Sequence, residues 1–324
     1  MKHQILACCA IAAIALSLVT PAQAISIVEV SVTASAGVLG HPFDSDTSNA
    51  SGPTSAGATA SAAMSAPITT TSNFFVSGAA VGNAHLGLIS ASADALVQST
   101  HTGTLTFLAD NLAGGSGNVV ASFFIDDLLV TPIGGGTATS VPVSLRLELS
   151  GGLDADGSLN EPPVLGFPAG AGGTATVAVD VQTGGASFAG TRSYSNNNRN
   201  EEVFGSTGLL AGGDIFGTPA FDVAVGSPFS IEVTMSVSAG ASTNITHGNA
   251  NASASFLSTL RFPIVGPVFD VPEGYTVNSL SAGIVNNRFG VAAPVAVPEP
   301  SMALLLGFGV AALGGARRFR GRLR

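Results

Sequence analysis

Apolar and polar residues alternate with period two through the middle of this chain. Val28, Val30 and Val32 alternate with Glu29, Ser31 and Thr33, and Val143, Leu145, Leu147 and Leu149 alternate with Ser144, Arg146, Glu148 and Ser150. The same period recurs in Val177, Val179 and Val181 and in Ile231, Val233, Met235 and Val237. Successive side chains of a strand point to opposite faces, so each segment predicts a strand with one buried and one wet face. Further strands are expected at residues 104–108, 119–126, 221–225, 256–262 and 275–280. Glycine and proline interrupt any helical period between them. One-sided strands assemble as antiparallel sheets, and two such sheets packed together make a sandwich. The expected fold class is therefore all-β, one antiparallel β-sandwich over residues 25–296, although the length also allows two domains.

Small polar residues separate the strands. Residues 45–65, made almost wholly of Ser, Thr, Ala, Gly, Asn, Asp and Pro, lack an apolar period and read as a long flexible surface loop. Residues 114–118, 134–140, 166–173 and 194–200 read as shorter loops. Residues 31–37 and 236–242 are similar, but they share only small side chains and do not establish a repeat.

Both ends of the chain carry a different pattern. Lys2 and His3 precede an apolar run from Ile5 to Val19, and Ala22-Gln23-Ala24 has the small-x-small form read by signal peptidase. Residues 1–24 are thus expected to be a signal peptide cleaved after Ala24, and the protein to be exported. Cys8 and Cys9 fall inside this peptide, so the mature chain holds no thiol or disulfide. At the other end Val297-Pro298-Glu299-Pro300 precedes an apolar run at 301–316 and a tail containing Arg317, Arg318, Arg320, Arg322 and Arg324. The prolines hold Glu299 in an extended, accessible segment. A helix over 301–316 would be roughly 24 Å long, short against a hydrocarbon core of about 30 Å but adequate with snorkelling flanks. The arginines would keep its end in the cytoplasm.

This order of Pro-Glu-Pro, short apolar helix and terminal arginines over residues 297–324 resembles the PEP-CTERM sorting signal of Gram-negative bacteria. The resemblance implies recognition of Val297, Pro298, Glu299 and Pro300 by an exosortase, a membrane enzyme that removes the helix. It implies a transient anchor at 301–316 and a topological stop in the arginines at 317–324. It also implies a cell-surface or extracellular-matrix protein in a setting of exopolysaccharide, biofilm or floc formation. There the mature domain would be a structural or adhesive element and not an enzyme. The partners implied are signal peptidase, exosortase, the membrane before processing, and extracellular polysaccharide.

Charge narrows the remaining choices. Residues 25–296 contain five arginines, no lysine and 19 carboxylates, a formal net charge of −14. Phosphate backbones demand a basic stripe, so nucleic acid is not an expected partner. His41, His85, His101 and His247 lack the spacing that would aim two imidazoles at one metal. Gly185-Ala186-Ser187-Phe188-Ala189 lacks the last glycine of a nucleophile elbow, and the glycine-rich residues 170–175 precede a strand instead of opening a helix. No organic cofactor is expected. The one candidate ion is calcium. Asp154, Asp156, Ser158 and Glu161 would supply oxygen ligands from a tight Gly-containing loop after Leu149, although the EF-hand spacing is not met. Asp126-Asp127 reads as a wet strand end, and Asp44 and Asp46 as loop residues. Sugar stacking through Tyr194, with Asn196, Asn197, Asn198 and Arg199 as hydrogen-bonding partners, is a further candidate, since the chain has no Trp and its 18 Phe are expected to fill the core. Two rival functions follow: an extracellular polysaccharide hydrolase or lyase with paired carboxylates in a cleft, and a calcium-dependent carbohydrate-binding module.

Overall fold

The computed structural model describes residues 26–38, 42–69, 72–101, 113–159, 171–197, 203–212, 214–243 and 248–290. The expected signal peptide, the strand at 104–108, His41, His247, Glu161, Asn198, Arg199 and the sorting segment at 297–324 lie outside them. In chain order the first strands are β1 (Ile27–Val38), β2 (Asp44–Gly52), β3 (Ser55–Thr69), β4 (Ser72–His85) and β5 (Leu88–His101). There follow β6 (Ala113–Pro132), β7 (Ser140–Leu159), β8 (Ala171–Thr183), β9 (Ala186–Asn197) and β10 (Val203–Gly208). A 3-10 turn at Leu209–Gly212 leads to β11 (Ile215–Gly217), β12 (Phe221–Ala224), β13 (Pro228–Thr243) and β14 (Gly248–Arg261). The short strands β15 (Phe269–Asp270), β16 (Tyr275–Asn278), β17 (Ile284–Val285) and β18 (Arg288–Phe289) complete the set. No α-helix occurs among the described residues, and none there is long and apolar enough to cross a membrane.

Two eight-stranded antiparallel sheets pack face to face. The first runs β10-β9-β8-β13-β6-β1-β2, with β16 continuing the lane of β1 along the end of β6. The second runs β11-β7-β14-β5-β4-β3, with β12 and β15 on the first half of β7. Contacts of β1 with β3 and β4, of β6 with β4 and β5, and of β13 with β5 and β14 close the layers on each other. The apolar members of the period-two segments in β1, β7, β8 and β13 are all buried, as the alternation requires.

The core changes character along the strands. At one end the inward rows of the first sheet are Val28, Phe123, Val233 and Val181, followed by Val30, Ala121, Met235 and Val179. Further along they become Ala34, Gly117, Ala239 and Ala175, then Ala36, Gly115, Ala241 and Gly173. The facing sheet matches, with Phe256, Leu260, Leu145, Leu147 and Leu149 at the thick end and Gly78, Ala95, Ala252 and Ala155 at the thin end. Where only Ala and Gly separate the layers, the backbones nearly touch. A β-carbon on Gly78 would collide with the carbonyl oxygen of Ser116 and lie 2.7 Å from that of Ser35, both in the other sheet. Gly115 and Gly117 face the carbonyls of Ser77 and Ala79 in the same way. The sandwich is thus a wedge whose thickness follows side-chain size. The similar stretches at 31–37 and 236–242 occupy matching registers on the two sides of β6, because both must supply the same Val-Ala-Ala taper.

Several expected loops are strands. Residues 45–65 form β2 and β3 in place of a flexible loop, with Ala58, Ala60 and Ala62 buried. Alanine alternating with Ser and Thr carries too little hydrophobicity to announce a strand, yet it suffices where the opposing sheet is close. Residues 114–118 lie within β6, 171–173 within β8 and 194–197 within β9. β2 and β3, the outer strands of the two sheets, are joined through Pro53 and Thr54. Asp44 and Asp46 belong to this seam and not to a loop. Ala63 N donates to Asp44 Oδ2 at 2.9 Å and Ser61 N to Asp46 Oδ2 at 3.0 Å, so carboxylates of one sheet satisfy edge amides of the other.

Candidate functional site

Three of the four residues expected as calcium ligands do not form a loop, and the fourth, Glu161, lies outside the described residues. Asp154, Asp156 and Ser158 stand at alternate positions of β7, paired with Ser253, Asn251 and Asn249 of β14, and all three are exposed on one face. Alternate residues of a strand are about 6.6 Å apart along it, so their oxygens line up instead of converging. Asp156 Oδ1 is engaged locally by Gly157 N at 2.8 Å. Ala155 and Gly157 explain the extended form. Both turn into the thin end of the wedge, where a β-carbon on Gly157 would strike the carbonyl of Ala171. No cluster of three His, Cys, Asp or Glu residues suited to a metal occurs among the described residues.

Other expectations are also revised. Asp126 and Asp127 lie inside β6, opposite the register shift between Phe229 and Ile231, not at a strand end. Asp127 is a structural hub. Its Oδ1 accepts from Ser279 Oγ at 2.5 Å and Ser281 Oγ at 2.7 Å, and its Oδ2 accepts from Ser281 N at 2.8 Å, which fixes the turn after β16. Tyr194 pairs with Ala175 and packs partly buried against the core, so its ring does not offer an outward platform. Phenylalanine does not go wholly to the core. Phe43 is 66% exposed, and Phe75 and Phe204 are exposed as well.

The outer face of the first sheet carries an ordered array of polar groups. Register places Ser193, Thr176, Ser238, Asn118, Thr33 and Thr47 in one row across β9, β8, β13, β6, β1 and β2. The row beside it holds Thr191, Ala178, Ser236, Val120, Ser31 and Asn49, and the next holds Asp180, Thr234, Ser122, Glu29 and Ser51. Strand geometry spaces these groups by about 4.8 Å across the sheet and about 6.8 Å along it. The hydroxyls of Ser35 and Ser116 are hydrogen-bonded, with their Oγ atoms 2.6 Å apart.

Two grooves cross this face. One of about 390 Å³ is lined by Glu29, Ser31, Asn49, Ser51, Val120 and Ser122. The other, of about 450 Å³, is lined by Ser35, Phe43, Gly114, Ser116, Thr174, Gly240 and Ser242 and contains no charged side chain. Its floor is low because Gly114 and Gly240 carry nothing outward, and at its end the Phe43 ring lies over Gly37, where a β-carbon would sit 2.6 Å from Phe43 Cδ2. A third groove of about 310 Å³ lies between the β8–β9 turn and β12, lined by Thr183, Phe221, Asp222, Ser227 and Phe229. Glu29 lines the first groove and Asp222 the third. Partial desolvation raises the carboxyl of Asp94, an exposed residue of β5 in the other sheet, from its ordinary value. Serine and threonine alternation was visible in the sequence. The rows were not, because register between distant strands decides them. No family model, curated protein or solved structure matches the chain.

Proposed function

We propose that this chain is an exported protein of the cell surface or extracellular matrix, sorted by an exosortase, whose β-sandwich is a structural or adhesive element among exopolysaccharides. The sorting part rests on residues 297–324, in which Pro-Glu-Pro, an apolar run and an arginine tail follow in fixed order. The adhesive part rests on one observation, the flat hydroxyl and amide rows of the first sheet with the uncharged groove that ends at Phe43. Regularly spaced hydroxyls and amides can exchange hydrogen bonds with sugar hydroxyls, and an exposed ring supplies the apolar stacking surface for a pyranose face. The partner favoured by an uncharged groove on an acidic protein is a neutral polysaccharide.

The decisive experiment is mass spectrometry of the C-terminus of protein recovered from its native host, with and without the exosortase. A mature end within Val297 to Pro300 that disappears in the deletion strain is the expected result. A tail intact through Arg324 in both strains would make the protein a permanently anchored one and remove the sorting reading. The adhesive reading is tested separately by affinity electrophoresis in gels of matrix polysaccharide. There Phe43→Ala is expected to lose at least half of the retardation shown by the unaltered protein.

A further inference from the structure

The described chain closes in a small unit at the thick end of the wedge, and this unit has an unusual surface. Asn286 and Asn287, at φ 51° and 62°, make the two-residue turn between β17 and β18. Asn287 then ties the hairpin down. Its Nδ2 donates to Phe269 O at 2.6 Å and its Oδ1 accepts from Phe269 N at 2.8 Å, while its backbone N and O bond to Val277 O and Val268 N, both at 2.9 Å. Phe289 adds an edge-on contact to Phe262, with ring centroids 5.3 Å apart. From this firm base project Ile264 (64% exposed), Val265 (88%), Leu280 (76%) and Val285 (44%).

Carboxylates are absent from the segments that carry these apolar tips. No carboxylate occurs from Phe262 to Phe269 or from Gly274 to Gly290. Between these segments Asp270 is exposed and pairs with Arg146, and Glu273 is exposed, while Asp127 accepts hydrogen bonds from Ser279 and Ser281. Arg146, Arg192 and Arg261 each pair with a carboxylate, whereas exposed Arg288 pairs with none among the described residues. Covalent distance supplies the partner. Ten residues, 291–300, separate this unit from the apolar run at 301–316, and a fully extended chain of that length reaches at most about 35 Å. While the tail is uncut, the unit is therefore confined close to a bilayer.

We propose that the tips at Ile264-Val265, Leu280 and Val285, with Arg288 beside them, rest in the headgroup region of an anionic phospholipid bilayer before the tail is removed. This rests on the reading of 301–316 as a membrane anchor. Apolar tips gain by entering the interface, and an unpaired arginine among them is attracted to anionic headgroups where the rest of the acidic surface is repelled.

The chain contains no Trp, so a single indole is an unambiguous reporter. Full-length Val265→Trp, and Thr47→Trp as a reference on the exposed edge strand β2, would be reconstituted into vesicles of equal phosphatidylglycerol and phosphatidylcholine, with and without acyl-chain bromination. The expected result is a blue-shifted emission quenched at least twofold by the brominated lipid at position 265, with no quenching at position 47. Cofloating protein with no quenching at either position overturns the membrane-contact face and leaves the anchor reading standing. Protein that does not float with the vesicles overturns the anchor reading and this inference together. Equal quenching at 265 in pure phosphatidylcholine vesicles overturns the role of Arg288 and of anionic lipid.

Discussion

At the scale of single residues, the wedge depends on positions with no side chain at all. Gly117 faces the Ala79 carbonyl across the sandwich, and a backbone atom in a paired strand cannot move aside as a flexible side chain can. Gly117→Val is therefore expected to destabilise the protein by about 3 kcal/mol. Gly240→Ala, pointing outward with nothing within 4 Å, is expected to stay within about 0.5 kcal/mol. Urea unfolding of the two variants checks the pair. Asp94 offers a pH test. Because partial desolvation of this exposed residue disfavours its charged form, the folded state holds its proton to slightly higher pH than the unfolded chain does, and stability falls a little as pH rises between the two pKa values. Asp94→Asn should thus stabilise the protein at neutral pH, and the gain should vanish below about pH 3.9, where both states are protonated. Thermal unfolding across that range would show a constant difference if the idea were wrong.

Elements raise a different problem, that of open edges. β3 ends the second sheet and would present unpaired amides, a template for another chain. Asp44 and Asp46 fill two of those positions from β2. The double variant Asp44→Ala, Asp46→Ala is expected to lose about 1 kcal/mol for each bond and to associate as concentration rises. Sedimentation velocity at two concentrations distinguishes that from simple destabilisation. The hairpin of β2 and β3 also shows where pattern reading fails. Residues 45–65 look like a linker by composition, yet Ala58, Ala60 and Ala62 are as well placed as valines elsewhere because the facing sheet is near. β4 and β5 carry little apolar signal for the same reason, since Gly78, Ala80, Gly82 and Ala84 face Ala95, Ala93, Ala91 and Ile89.

On the scale of the molecule, charge and size act together. A formal −14 over residues 25–296, relieved by few cations, makes self-repulsion a general cost of the folded state. Raising the salt concentration from about 10 mM to about 150 mM shortens the Debye length from about 30 Å to about 8 Å. The midpoint of thermal unfolding should therefore rise, and a flat or falling midpoint would show that local ion pairs such as Arg261 with Glu148 outweigh the net charge. Sorting, in this reading, needs only the terminal segments, while adhesion needs the assembled first sheet.

The strands of β1, β7, β8 and β13 were legible in the sequence by itself, because a Val or Leu at every second position can serve only a half-buried strand. So was the distinct composition of both ends. The tertiary structure alone decided the strand nature of the Ala and Gly segments, the opening of the Asp154–Ser158 loop into a strand, and the binding of Asp127 by a turn 152 to 154 residues away. The physical reason is the same in each case. The strength of a small side chain, or of a carboxylate, as a structural signal depends on what faces it, and that partner is fixed by register and sheet spacing across distant parts of the chain.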